Sequence, residues 1–95
     1  MLAVVSTIKV RPGQEAAFEA VARELTVKVN AKEPGCKLYT VCKGVAPQTY
    51  VFLERYVDEE AAKTHRLSEH FRELGKKIDL LTQGAPQLLR LTEVS

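Results

Sequence analysis

Residues 49–57 read "TYVFLERYV", and both alternations of this run are largely apolar. Val51, Leu53 and Val57 share one face of the implied strand; Tyr50, Phe52 and Tyr56 share the other. A sheet with helices on one side and water on the other shows polar residues at alternate positions. This strand does not, so both of its faces are expected to be covered. Just upstream, "CKLYTVCKG" (36–44) reads as a second strand, and "VAPQ" joins the two as a short hairpin connection.

The rest of the chain arranges itself around that hairpin. "LAVVSTIKV" (2–10) is rich in β-branched residues and ends at the turn signal "RPG". In the helical stretch that follows, Phe18, Val21, Ala22, Leu25 and Val29 form one apolar stripe. "EPG" ends it, because proline disfavours helix at the residue before it. Asp58 reads as an N-cap for "EEAAKTHRL", with Glu59 and Glu60 where the dipole favours them. Ser68 is a second N-cap, opening "EHFRELGKKIDLLTQ" (69–83), and "QLLRLTEV" (87–94) closes the chain as a fourth strand. The order is β-α-β-β-α-β. That is a ferredoxin-like α+β fold, one domain over residues 1–95, with an antiparallel sheet and helices on one face. Nothing in the chain remains to cover the second face, so a homodimer with packed sheets is expected.

Composition narrows the function. The chain has 95 residues and a net charge of +2, with basic and acidic residues interleaved. A nucleic-acid binder shows a basic stripe or a reading motif, and neither is present. No apolar run approaches the ~20 residues of a membrane span, and "MLAVVSTIKV" lacks the basic region of a signal peptide. Cys36 and Cys42, six apart on one strand, are expected to share a face ~20 Å apart, too far for a disulfide. That pattern suits a reducing, cytoplasmic setting. Two lone cysteines make no zinc site, and no carboxylate-rich cluster, phosphate loop, GxSxG, HExxH or dinucleotide fingerprint occurs. An enzyme built on this sequence is expected to work without a metal or other bound cofactor.

Both histidines lie in "THRLSEHF" (64–71). On one continuous helix, positions five apart are rotated by about 140°. If Ser68 opens a new segment, the two rings lie on either side of a bend and their relative direction is open. In either case His65 and His70 are not expected to act as a pair. His65 falls at the end of a short helix, where it either carries protons in a groove or bonds terminal carbonyls. His70, beside Glu69, reads as a surface or junction residue. Glu54 shares a face with Phe52 and Tyr56, and a carboxylate in apolar surroundings must be paired or have its pKa raised. Its expected partners are the partner subunit's Arg55 or Arg90 of the fourth strand. Tyr39 and Tyr56 are either core aromatics or phenol donors to a pocket.

Three segments, "KVRPGQEAAFEAV" (9–21), "EPGCKLY" (33–39) and "FLERYVDEEAAKTHRLSEHF" (52–71), resemble in order and spacing the antibiotic biosynthesis monooxygenase family of small domains. The resemblance runs from Val4 to Val94. It implies a dimeric α+β barrel that oxidises quinols and polycyclic phenols with O2, using no metal or flavin, in an apolar groove between helices and sheet. The substrate's own electron-rich ring reduces oxygen, so the protein supplies a base, a dry pocket and hydrogen bonds to the phenolate. Position by position, the resemblance implies that His65 transfers the proton. It implies that Tyr39, Glu54 and Tyr56 orient and line the small aromatic substrate, and that His70 is structural at the bend. Haem-degrading relatives use a tryptophan, absent here, and an early asparagine, replaced by Ser6 and Thr7. Other relatives isomerise a phosphorylated sugar derivative with a histidine acid-base, for which Lys9, Arg11, Lys43 and Arg66 are the available cations. A non-catalytic dimeric ligand-binding domain is the third possibility on this fold.

Overall fold

The computed structural model describes residues 1–95. Its elements are β1 (Leu2–Lys9), α1 (Glu15–Lys32), β2 (Cys36–Lys43), β3 (Thr49–Tyr56), α2 (Glu59–Leu67), α3 (Glu69–Leu81) and β4 (Gln87–Thr92). The strands form one antiparallel sheet in the order β2-β3-β1-β4, the ferredoxin-like arrangement expected. The second α of that order is a pair of helices divided at Ser68, the position read as the second N-cap.

Local chemistry accounts for each boundary. Gly13 adopts φ +84, the left-handed turn that lets β1 lead into α1. Phe18, Ala22, Leu25 and Val29 bury the stripe that the spacing indicated. Pro34 forces Glu33 out of the helix to φ −118 and ψ 89, although its N–H still reaches the Val29 carbonyl. The Asp58 side chain accepts the Ala61 N–H at 2.8 Å and opens α2. Ser68, extended at φ −66 and ψ 149, ends that helix and caps the next by accepting the Phe71 N–H at 3.2 Å. α3 and β4 each stop two residues short of the expected ends. Thr82 leaves the helix at φ −114 and ψ 160 and bridges to Val10 instead.

The hydrophobic core lies between helices and sheet. Phe18 meets Tyr50 and Phe52 at ring-centroid distances of 4.7 and 6.2 Å, and Tyr39 meets Phe52 at 5.5 Å. Tyr50, Phe52, Glu54 and Tyr56 are buried on this face of β3, whereas Val51 and Leu53 point to the opposite side and are half-buried. That opposite face carries exposed Leu38, Leu89 and Leu91 as well. No helix is long and apolar enough to cross a membrane.

One expectation is corrected here. A β-bulge between Cys36 and Leu38 inserts Lys37 as an unpaired residue, so the side-chain alternation is reset. Cys36 therefore packs against the core while Cys42 faces out, and the two do not share a face.

Candidate active site

The helices leave β4 uncovered, and all six of its residues are exposed. Between that end of the sheet and α2 and α3 lies an apolar cavity of about 240 Å³. Phe52, Tyr39 and Ile8 belong to its sheet wall and Leu25, Phe71 and Ile78 to its helix wall, with exposed Leu88 where it reaches the surface.

Three helix ends meet beside this cavity. Glu33 is the C-cap of α1, His65 lies in the last turn of α2, and His70 lies in the first turn of α3. The turn after α1 packs directly on α2: a Cβ on Gly35 would sit 2.7 Å from the Cβ of Ala61. Only a glycine allows that approach, and it brings the Glu33 carboxylate to the histidines. Nδ1 of His65 lies 3.1 and 3.0 Å from the two Glu33 oxygens, and Nε2 of His70 lies 2.5 Å from Oε2. All three side chains are buried. Of the two readings of His70, the surface one is overturned, because the ring is buried at the junction between α2 and α3. The two histidines, expected to be unrelated, share one acceptor. The regular rotation per residue does not run through Ser68, where the chain bends between two helices and turns both rings toward one acceptor.

The His65 ring is boxed by aromatic groups, at centroid distances of 5.0 Å from Tyr39, 5.6 Å from Tyr56 and 4.5 Å from Phe71. Its Nε2 is buried without a hydrogen-bond partner. Burial holds the His65 pKa below its ordinary value, outweighing the Glu33 carboxylate, which acts in the opposite direction. The ring is therefore a neutral imidazole at pH 7. Glu54, buried on the sheet wall, accepts the Tyr56 hydroxyl at 2.5 Å. Burial pushes its carboxyl up to about 7, opposed by the Tyr56 hydrogen bond and reinforced by the Glu33 charge. The Tyr39 and Tyr56 hydroxyls are pushed upward by burial and then by the Glu54 charge, so both stay protonated donors.

His65, Tyr39, Glu54 and Tyr56 thus border one cavity, as a joint role requires. Within the chain neither arginine pairs with Glu54. Arg55 is on the opposite face, as its neighbour in a strand must be, and binds Glu93 at 2.9 Å. Arg90 reaches Glu59 at 2.7 Å. Of the cations considered for a phosphorylated substrate, Arg66 borders the cavity, and Lys9, Arg11 and Lys43 do not. Glu33 was read in the sequence only as the residue before a helix-ending proline. The signal available was that same proline, which fixes Glu33 at a helix terminus, but nothing local shows what it faces.

Glu33, His65 and His70 are also the group whose donor atoms could hold a metal ion, all lying within 4.8 Å of one another. Tetrahedral ligands about 2.1 Å from an ion stand about 3.4 Å apart. Here one carboxylate oxygen sits 2.5 and 3.0 Å from the two ring nitrogens, the spacing of a shared hydrogen-bond acceptor.

Comparison with known proteins places this chain in a family. The antibiotic biosynthesis monooxygenase profile matches residues 1–77, a span that includes Glu33, Tyr39, Glu54, Tyr56, His65 and His70. The chain belongs to the antibiotic biosynthesis monooxygenase family. Among solved structures, a candidate antibiotic biosynthesis monooxygenase from Caulobacter crescentus CB15 is 35% identical, with 99% of this chain and 90% of that one covered and a TM-score of 0.95. A second antibiotic biosynthesis monooxygenase is 26% identical over the whole of both chains, with a TM-score of 0.91. A Pseudomonas aeruginosa protein is 25% identical over 99% of this chain and 94% of its own, with a TM-score of 0.86. Comparison with curated proteins yields no match. Members of the family thus share this fold along nearly the full chain, β4 included.

Proposed function

We propose that the protein is a cofactor-free monooxygenase that oxidises a quinol or polycyclic phenol with O2 in the cavity between helices and sheet. The observation that carries this reading is a buried imidazole nitrogen, Nε2 of His65, left without a partner beside a largely apolar cavity. A ring nitrogen in that state is a base waiting for an acidic hydroxyl. An apolar cavity of ~150 Å³ accommodates benzene, so one of about 240 Å³ takes a fused bicyclic ring, with more room toward β4. The phenol proton passes to Nε2, and the phenolate ring gives electrons to O2 and forms a ring peroxide. Loss of water then leaves a carbonyl. One oxygen atom stays on the ring, and the other leaves as water with the substrate's O–H and C–H hydrogens, so no external reductant is needed. Tyr39, Tyr56 and Glu54 donate and accept around the substrate oxygens, and the dry walls strengthen those contacts.

Oxygen uptake with a panel of naphthols and quinols, corrected for autoxidation, is expected to saturate with substrate. Uptake no faster than autoxidation across the panel removes this reading and favours a histidine-based isomerase or a ligand-binding domain.

The homodimer belongs to the same proposal. The outer sheet face presents Leu38, Leu89 and Leu91 at 38, 56 and 43% exposure, an apolar surface that a second copy would bury. Light scattering is expected to give about 21 kDa, twice the 10.6 kDa of one chain. A monomer mass at micromolar concentration counts against it.

A further inference from the structure

We infer that Glu33 is the positioning residue of the site: held in place by His70, its carboxylate fixes the proton of His65 on Nδ1 and so leaves the Nε2 lone pair free to take a substrate proton. This rests on the reading of His65 as the base.

Both Glu33 oxygens lie within 3.1 Å of Nδ1. A carboxylate offers only acceptors, so the hydrogen between them must come from the ring. A neutral imidazole with its proton on Nδ1 has its lone pair on Nε2. The other tautomer would bury an N–H at Nε2 with no acceptor and set a lone pair against a carboxylate at Nδ1. His70 acts on the same carboxylate from the opposite side, donating from Nε2 to Oε2. The three side chains come from three helix ends, so a rotation of Glu33 would break contacts to two elements at once. When the ring gains a proton during turnover, the carboxylate is already beside it, and nothing has to reorganise. The logic is that of the acid–histidine pair of hydrolases, carried here by a helix C-cap.

The test uses ¹⁵N-histidine-labelled full-length protein and long-range ¹H–¹⁵N correlation spectra at pH 8. Wild type is expected to show His65 as a single tautomer protonated at Nδ1. Glu33→Gln offers an amide with both a donor and an acceptor, so it is expected to give mixed or inverted tautomers. A wrong tautomer costs a serine protease about 10⁴-fold. A phenol is far more acidic than a serine hydroxyl, so kcat for naphthol-dependent oxygen uptake is expected to fall only about ten- to hundred-fold, with KM little changed. Glu33→Asp, which keeps the charge, is expected to recover the Nδ1 tautomer and part of kcat. Either of two results overturns the inference: wild-type His65 protonated at Nε2, or Glu33→Gln retaining both the wild-type tautomer and its kcat. Should wild type consume no oxygen, the monooxygenase reading fails by itself. The spectra then decide the positioning role alone, since the Nδ1 tautomer and its loss in Glu33→Gln do not depend on turnover.

Discussion

Replacing His65 with glutamine is expected to lower kcat for naphthol-dependent oxygen uptake by roughly 10²- to 10⁴-fold, the range general-base groups contribute. That corresponds to about 3–5 kcal/mol of transition-state stabilisation. KM should move little, because the apolar walls that hold the ring are untouched. Glutamine keeps a polar group of similar size beside Glu33, so the fold is expected to survive, and circular dichroism checks this. The discriminating feature is pH. Above the phenol's own pKa the substrate arrives already ionised and needs no base, so the deficit should shrink steeply there. An equal loss at every pH would sink the base assignment and leave His65 a structural residue.

Glu54→Gln is expected to stabilise the protein at pH 8.5 by about 2–3 kcal/mol and to change little at pH 5. In the folded state burial raises the Glu54 carboxyl from the ordinary 4.5 to about 7. The native protein therefore binds this proton more tightly than the unfolded chain does. Below about pH 4.5 both states are protonated and the site costs nothing. As pH rises through the folded value the native carboxyl must ionise in apolar surroundings, and stability is lost. A shift of this size corresponds to about 3 kcal/mol at most. Glutamine still accepts the Tyr56 hydroxyl and never ionises, so it removes the loss on the alkaline side. For a domain of this length the thermal midpoint should rise by roughly 10 °C or more at pH 8.5. Urea melts at the two pH values measure the difference; equal melts at both would show that Glu54 is ionised without penalty.

His65 acts in the opposite sense. Its pKa is held below the ordinary value, chiefly by burial, so the folded protein resists protonating it. The stability this contributes is present above about pH 6.5 and is lost as pH falls through the folded value. Wild type should then be most stable where neither group is forced into its disfavoured form, and Glu54→Gln should remove only the alkaline limb.

The element order, the caps at Asp58 and Ser68, the α1 stripe and the two apolar faces of β3 were all readable along the chain. Each follows from short-range rules: side-chain alternation in strands, the 3.6-residue turn of helices, and the hydrogen-bonding habits of Asp, Ser and Pro. His65, Tyr39, Glu54 and Tyr56 were readable as candidates because their residue types carry the chemistry, and alternation along β3 places Glu54 and Tyr56 on one face. Tyr39 joins them only through the pairing of β2 with β3. The partners of those groups were not readable. Lys37, bulged out of β2, reverses Cys36 relative to Cys42, and a bulge depends on how two strands pair. The meeting of Glu33, His65 and His70 needs a proline-ended helix, a glycine without a Cβ against Ala61, and a bend at Ser68 to agree in space. No periodicity spans a bend or links residue 33 to residue 65. Contacts between helix ends are set by how whole elements pack, so tertiary structure alone could turn two unrelated histidines into partners of one carboxylate.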